Sequence, residues 1–442
     1  MNRLFNFLKA LEVPNMTMSI LILITALFVF IGSSNLRAAT FEVNSTIDAI
    51  DANPGDGICD DGDGNCTLRA AVMETNDLAG PDEIVLKAKT YLITIPGPDH
   101  FAIKGDLDIR DDLLIQGQGA AKTVIDGSNL TRAFELRDDD LMNKVNVEIY
   151  DLTIQDCVVG NAGGAIRNHS EKLRLERVEL IANFAPRGGG IYNGPNGDTK
   201  ILNSGIYYNF ATDDPGMERG GGIYNDGELF VGNSTISSNT AGDLGGGIFN
   251  SGDMHLAFNT VAANITIAGL AGGIHQTAGS TDATLFANLF ADNQNGDCAG
   301  ALVKVESLGY NLAEDDCNLN DPTDEPDTES QIGMLAMNGG GTMTHELFEG
   351  SPAIDMAGND FECFEVGVDQ RGVSRPQDGD LIGEANCDAG AFEYIAKPVS
   401  DGDSGGGCSL AKSGSASSMS IYLLIPVFLL AVRFLRRYQE NV

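Results

Sequence analysis

Oxygen-bearing side chains alternate inside a short loop bounded by cysteines: Asp61, Asp63 and Asn65 lie between Cys59 and Cys66. Ligand oxygens at every second position are how a calcium loop begins. Cys66 stands where an EF-hand loop needs Gly, and no Glu stands at its twelfth position, so the full pattern fails. The expectation is a Ca²⁺ site of millimolar-range affinity at Asp61, Asp63 and Asn65, against a solvated acidic turn. A second group could act on a polymer. Arg187 and Arg219 precede glycine-rich triplets at the same register, and Asp213, Asp214 and Glu218 stand just before Arg219. A lyase needs a base, often Arg, near bound Ca²⁺ to remove the proton beside a uronate carboxylate. No Asp–Asp–His–Arg set completes such a site, so a surface loop with a local salt bridge is preferred. Asp213, Asp214, Glu218 and Arg219 are the catalytic residues of the alternative only. A third group consists of rings. Tyr192, Tyr224, Phe249 and His275 recur at one register and, with Arg167 before them, should face outward as a strip. Aromatic faces bind sugar rings or partner side chains, or they stack to support the fold.

These groups meet in space only if the chain repeats, and it does. Gly163-Gly-Ala-Ile-Arg-Asn168 returns as Gly188-Gly-Gly-Ile-Tyr-Asn193, Gly220-Gly-Gly-Ile-Tyr-Asn225, Gly245-Gly-Gly-Ile-Phe-Asn250 and Ala271-Gly-Gly-Ile-His-Gln276. A second element aligns Ile154, Leu180, Ile206, Ile236, Val261 and Phe290, with steps of 26, 26, 30, 25 and 29 residues. Short alternating strands at this period, with Gly or Asn at the corners, describe a solenoid. The fold class is all-β: a right-handed parallel β-helix with an N-terminal helical cap and a C-terminal capping segment. Val147/Ile149, Leu173/Leu175, Leu229/Val231 and Met254/Leu256 should form one inward row, with Ile201 and Leu285 filling single slots. Ile166, Ile191, Ile223, Ile248 and Ile274 should form another. Asn183, Asn209, Asn239, Asn264 and Asn293 share a corner, and Cys157 takes that slot in the first repeat, so it reads as buried rather than nucleophilic. Thr67 N-caps a short amphipathic helix with Leu68, Ala71, Val72 and Thr75 on one face, suited to closing the open end.

The chain has 442 residues and a formal charge of −36, which excludes a basic nucleic-acid-binding surface. Gly reaches 54 residues without a collagen period, and 43% apolar residues exclude wholesale disorder. Residues 1–38 read as a signal peptide: Arg3 and Lys9, an apolar run 16–32, then Ala38 and Ala39. Near the other end come a Gly/Ser-rich linker (397–418) and an apolar segment with Arg433, Arg436 and Arg437 (419–442). Removing residues 1–38 (net +2) and 408–442 (net +3) takes the charge to −41, which keeps the chain soluble and attracts divalent cations. The eight Cys lack a Cys-x-x-Cys, so neighbour pairing gives three disulfides, Cys59–Cys66, Cys298–Cys317 and Cys363–Cys387.

The segment carrying Phe41-Glu-Val-Asn-Ser-Thr-Ile-Asp48, Cys66-Thr-Leu-Arg-Ala-Ala71 and Glu74-Thr-Asn76 resembles the CSLREA domain, with Thr67 for Ser and Ala70 for Glu. Asn338-Gly-Gly-Gly-Thr-Met-Thr-His345, Gly350-Ser-Pro-Ala-Ile-Asp355, Asp369-Gln-Arg-Gly-Val-Ser-Arg-Pro376 and Cys387-Asp-Ala-Gly-Ala-Phe-Glu393 resemble the choice-of-anchor Q domain. The tail resembles GlyGly-CTERM sorting signals. Together these resemblances imply a Gram-negative surface protein with a pectate-lyase-like β-helix between the flanking domains. They imply a precursor held in the inner membrane by its tail and cut by a sorting protease, and they supply no catalytic residues. The expected organisation is a signal peptide (1–38), a CSLREA-like cap (39–95), the β-helix (96–310), an anchor-Q-like region (311–396), the linker and the sorting segment. The expected function is adhesion or binding of a glycan or matrix component, without catalysis and with structural Ca²⁺. The alternative is a polysaccharide lyase or glycosidase.

Overall fold

Strands of three to five residues, cut by residues that turn the chain, have no room for a hairpin sheet of their own. They pair instead with their counterparts one coil away. In the computed structural model, which describes residues 38–396 except 139, 141, 215, 281, 316, 359–362, 364 and 365, this generates three long parallel sheets and a fourth of three short strands, Phe210–Ala211, Thr240–Ala241 and Ile265–Thr266. Face A has ten strands, from Thr40–Glu42 and Asp82–Val85 through Glu228–Gly232, Asp253–Ala257 and Ala283–Phe286 to Val305–Ser307. Face B has nine, from Thr90–Leu92 to Leu312–Ala313, and face C has eight, from Leu107–Ile109 to Cys298–Gly300. The architecture is the expected right-handed parallel β-solenoid of about eight turns.

The register is the one set by the repeat. Ile166, Ile191, Ile223, Ile248 and Ile274 pair in succession on face C, each at most 2% exposed. On face A, Val147, Leu173, Thr199, Leu229 and Met254 form one inward column and Ile149, Leu175, Ile201, Val231 and Leu256 the next. The corners follow from sterics. The first residue of each glycine triplet is left-handed (φ +62° at Gly188, +66° at Gly220, +62° at Gly245). At the second, a Cβ on Gly189 would lie 2.4 Å from the Gly221 carbonyl oxygen of the next coil.

Asn side chains tie the coils together. Asn183 Nδ2 donates to Asn209 Oδ1 (3.0 Å), Asn209 to Asn239 (2.9 Å), Asn239 to Asn264 (3.0 Å) and Asn264 to Asn293 (3.0 Å). Cys157 heads this ladder: its backbone N–H donates to Asn183 Oδ1, and its thiol is fully buried, with its pKa pushed far up by that burial. Two further ladders were not foreseen. One runs through Asn168, Asn193, Asn225, Asn250 and Gln276, the other through Asn259, Asn288 and Asn311. Such stacks satisfy buried amides in both directions, where an unpaired one would cost about 1–3 kcal/mol.

The solenoid's strands reach into both flanking segments. The first strands of face A come from inside the segment expected as a separate cap, because an inward Phe41 and Ile84 extend the same core. Helix α1 (Leu68–Asp77) is N-capped by Thr67 Oγ1, which accepts from Ala70 N at 3.0 Å. It is not one-faced: Leu68 to Thr75 are all buried, and Arg69 (1% exposed) is held by Asp48 and by the carbonyls of Ala102 and Gly105. At the other end Cys317 and Leu319 enter the core and close the solenoid. The described residues of 331–393 then bond along face B. His345 Nε2 bonds Ser237 Oγ (2.9 Å), Thr235 Oγ1 donates to Gln370 Oε1 (2.6 Å), and Ala391 N donates to Thr260 Oγ1 (3.0 Å). Outward hydroxyls on face B give this segment its partners. The three expected disulfides are present: Cys59–Cys66, Cys298–Cys317 and Cys363–Cys387. The signal segment (up to residue 37), the linker and the sorting segment lie outside the described residues.

Candidate functional site

The outward column of face C runs Asp108, Glu135, Arg167, Tyr192, Tyr224, Phe249, His275 in strict register. Its rings do not form an open platform. Tyr192–Tyr224, Tyr224–Phe249 and Phe249–His275 stack at 5.1, 4.8 and 5.6 Å between centroids, with interplanar angles of 22°, 25° and 3°. Tyr224 and Phe249 therefore spend both faces on their neighbours. Arg219 adds its guanidinium 5.1 Å from the Phe249 ring centre, and Phe249 is 2% exposed. Along the expected ligand-binding strip, Tyr192, Tyr224, Phe249 and His275, the one-coil repeat brings the rings close enough to stack, and stacking occupies both faces of the two inner rings.

The residues of the catalytic alternative do not converge either. Glu218 Oε1 accepts the backbone N–H groups of Asp213 (2.6 Å) and Asp214 (3.0 Å), so it organises its own loop. Arg219 faces Phe249 and donates to the Gly216 carbonyl (3.4 Å). The expected calcium loop is likewise bonded internally. Asp61 Oδ1 accepts from Asp63 N (2.9 Å) and Asn65 N (3.1 Å), and Oδ2 accepts from Asn65 Nδ2 (3.0 Å). These bonds, that to Asn65 foremost, hold the Asp61 carboxyl below its ordinary pKa. Asp61 thus spends both of its oxygens within the loop. Asp355, Asp378 and Asp380 do lie together, but Asp355 Oδ2 accepts the Gly379 and Asp380 N–H groups (3.0 Å each) and shapes that turn.

Two arrangements were not read from the sequence. One is an ionic cluster at the N-terminal end of the face C column. Arg132 donates to Asp106 Oδ2 (2.8 Å) and to Glu135 Oε2 (2.8 Å), while His169 Nε2 bonds Glu135 Oε1 and Arg167 lies 3.6 Å from it. Burial disfavours ionised Glu135, but His169, Arg132 and Arg167 together hold its pKa at about 2. Asp108, beside it, is pushed up to about 8 by burial and by Asp106 and Glu135, against one bond from Ala102 N (2.9 Å). A neutral acid and an ionised carboxylate side by side are the ingredients of acid–base chemistry. Both are 4% exposed, however, and Ala102 bonds directly to Asp108.

The other arrangement is an open concavity of about 560 Å³ on face A, lined by Phe230, His255, Thr284, Phe286, Leu308 and Tyr310 among others. Phe230, His255 and Thr284 are successive outward residues of one column. Phe286 meets Phe258 and Tyr310 edge to face, at 78° and 89° between planes, so its ring is not sandwiched as those on face C are. His255 Nδ1 bonds Thr284 Oγ1 at 2.8 Å, Lys200 Nζ lies 5.1 Å from the Phe230 ring centre, and Leu308 is 51% exposed. Aromatic walls with a few fixed polar groups are the usual composition of a small-molecule or saccharide site.

No family model and no curated protein matches the chain. Among solved structures it is similar to pectate lyase Pel9A (TM-score 0.40, 11% identity, covering 82% of this chain and 98% of that one). It is also similar to a rhamnogalacturonan lyase (TM-score 0.32, 12% identity, 71% and 96% covered). A third similarity is to the A-module of the Azotobacter vinelandii mannuronan C-5 epimerase AlgE4 (TM-score 0.24, 15% identity, 59% and 92% covered).

Proposed function

We propose that the protein is an exported, surface-displayed β-helix that binds a glycan or matrix component through face A without transforming it. The observation that carries this reading is the open aromatic concavity around Phe230, His255, Phe286 and Tyr310. Support for export comes from the three disulfides, which belong in an oxidising compartment, and from the terminal segments that resemble processing and sorting signals. The similar structures are named as enzymes of polysaccharides, so a carbohydrate-related role suits this architecture. The CSLREA-like segment supplies the buried helix that closes one end, and the anchor-Q-like segment clasps face B, leaving faces A and C for encounter.

The enzymatic alternative, a lyase or glycosidase, has one observation in its favour, the split pKa values of Asp108 and Glu135. Burial weighs against it, since both carboxyls are 4% exposed and a polymer cannot reach them in this arrangement. The test has two arms. Incubation with a panel of uronate polymers and neutral glycans should release neither unsaturated ends nor new reducing ends. A glycan array should give binding to a defined saccharide class. Product release would reverse the order of the two readings.

A further inference from the structure

Ala39 leads directly into the first strand of face A, Thr40–Glu42. Ala38 is exposed, whereas the Ala39 methyl packs against the core. The Ala39 carbonyl accepts the Glu83 N–H at 2.8 Å, and its N–H donates to Asp82 Oδ1 at 2.8 Å. Asp82 is 3% exposed, and its other oxygen, Oδ2, is buried with no hydrogen-bond partner. A buried carboxylate with one neutral donor and an idle oxygen is an unfavourable arrangement. Its surroundings worsen it: burial raises the Asp82 pKa, and nearby Asp111 raises it further. No side-chain cation pairs with it among the described ion pairs.

Cleavage of the Ala38–Ala39 peptide bond would repair this site. We propose that processing occurs at this bond and that the new α-ammonium of Ala39 docks on Asp82 as a buried ion pair that locks the first strand of face A. This rests on the export reading, in which residues 1–38 are removed, and adds the structural consequence of that cut. The chemistry is hydrolysis by a membrane signal peptidase: water supplies hydroxyl to the Ala38 carbonyl carbon and a proton to the Ala39 nitrogen, which is protonated again at neutral pH. One amide N–H becomes three N–H donors on a cation, enough to serve both oxygens of Asp82. Ala38 supplies the small residue immediately before the cut, while Leu36 stands where an A-x-A site has its other small residue. Position and charge thus agree: the bond whose cleavage delivers a cation to Asp82 is the one at the boundary between the exposed and the packed alanine.

The docking is tested independently of export. The full chain from Ala39 onward, released with a native N-terminus from a cleavable fusion, is compared with the same chain Nα-acetylated, each with Asp82 and with Asp82→Asn. Free amine with Asp82 should protect the Thr40–Glu42 amides from hydrogen exchange at least tenfold better than the acetylated chain, and the ¹⁵N-labelled α-amine should titrate above the usual value of about 8. Both effects should vanish in Asp82→Asn. Equal protection in all four proteins, or an α-amine with its ordinary pKa, overturns the docking. Mass spectrometry of the cell-derived protein tests the cut itself. A first residue of Ala39 supports it, and processing at any other bond overturns it even if export stands. An unprocessed chain overturns both the cut and the export reading.

Discussion

Faces A and C both carry outward rings, yet they arrange them differently. On face C the outward rings follow one another on adjacent coils and close into a stack, so the column stabilises the solenoid and offers little ring face. On face A the column changes type at every coil, from Lys200 to Phe230, His255 and Thr284, and the further rings Phe286 and Tyr310 meet edge to face. The alternation leaves a concavity where the repetition left a wall. In a solenoid, then, perfect repetition of an aromatic position argues for structure, and broken repetition is the better pointer to binding.

The largest effect expected from this contrast is on stability. Phe249→Ala removes a ring stacked on both faces and should cost about 3 kcal/mol in urea unfolding, in line with large-to-small changes at buried sites. Phe230→Ala, half-buried, should cost less than about 1.5 kcal/mol. Equal losses would break the distinction between wall and concavity.

A second prediction concerns the ionic end of the face C column. Asp108 carries its proton in the folded chain up to about pH 8 but would lose it near pH 4 when unfolded. The folded state therefore binds the extra proton, and stability falls as pH rises between those values. Asp108→Asn should match the wild type near pH 4 and exceed it at pH 9, read from urea midpoints. Glu135 works in the opposite direction: held at about 2, it adds stability above its unfolded pKa that is lost as pH drops towards 2. An Asp108→Asn variant whose stability tracks the wild type across this range would show that Asp108 is not shifted, and the enzymatic reading would lose the split that favours it.

The smallest effect expected is from calcium. Because Asp61 spends its oxygens on Asp63 and Asn65, millimolar Ca²⁺ should move the melting temperature by less than about 2 °C. A larger shift, lost in Asp61→Asn, would restore the loop as a metal site.

The solenoid was legible because its evidence is periodic. The Ile row, the Asn corner and the slot of Cys157 all follow from aligning one phrase, and cysteine order alone gave the three pairings. What the phrase did not reach stayed hidden. The outward column continues to Glu135 and Asp108, but Phe134 and Leu107 lack the glycine triplet that marks the later coils, so their register could not be read. The face A concavity draws Phe230, His255 and Tyr310 from different coils with no shared motif. The docking of 331–393 along face B joins residues more than a hundred positions apart, such as Ser237 with His345. Local spacing carries no trace of such contacts.

The central claim, that face A is the binding surface, is tested most directly by a glycan array run with three proteins: the wild type, a Phe230→Ala/Tyr310→Ala double variant and a Tyr192→Ala variant. We predict that the double variant loses the wild-type signal by about tenfold or more, roughly the worth of a lost ring contact, while Tyr192→Ala keeps it. Binding that survives the double variant and disappears with Tyr192→Ala would contradict the account and return the site to face C.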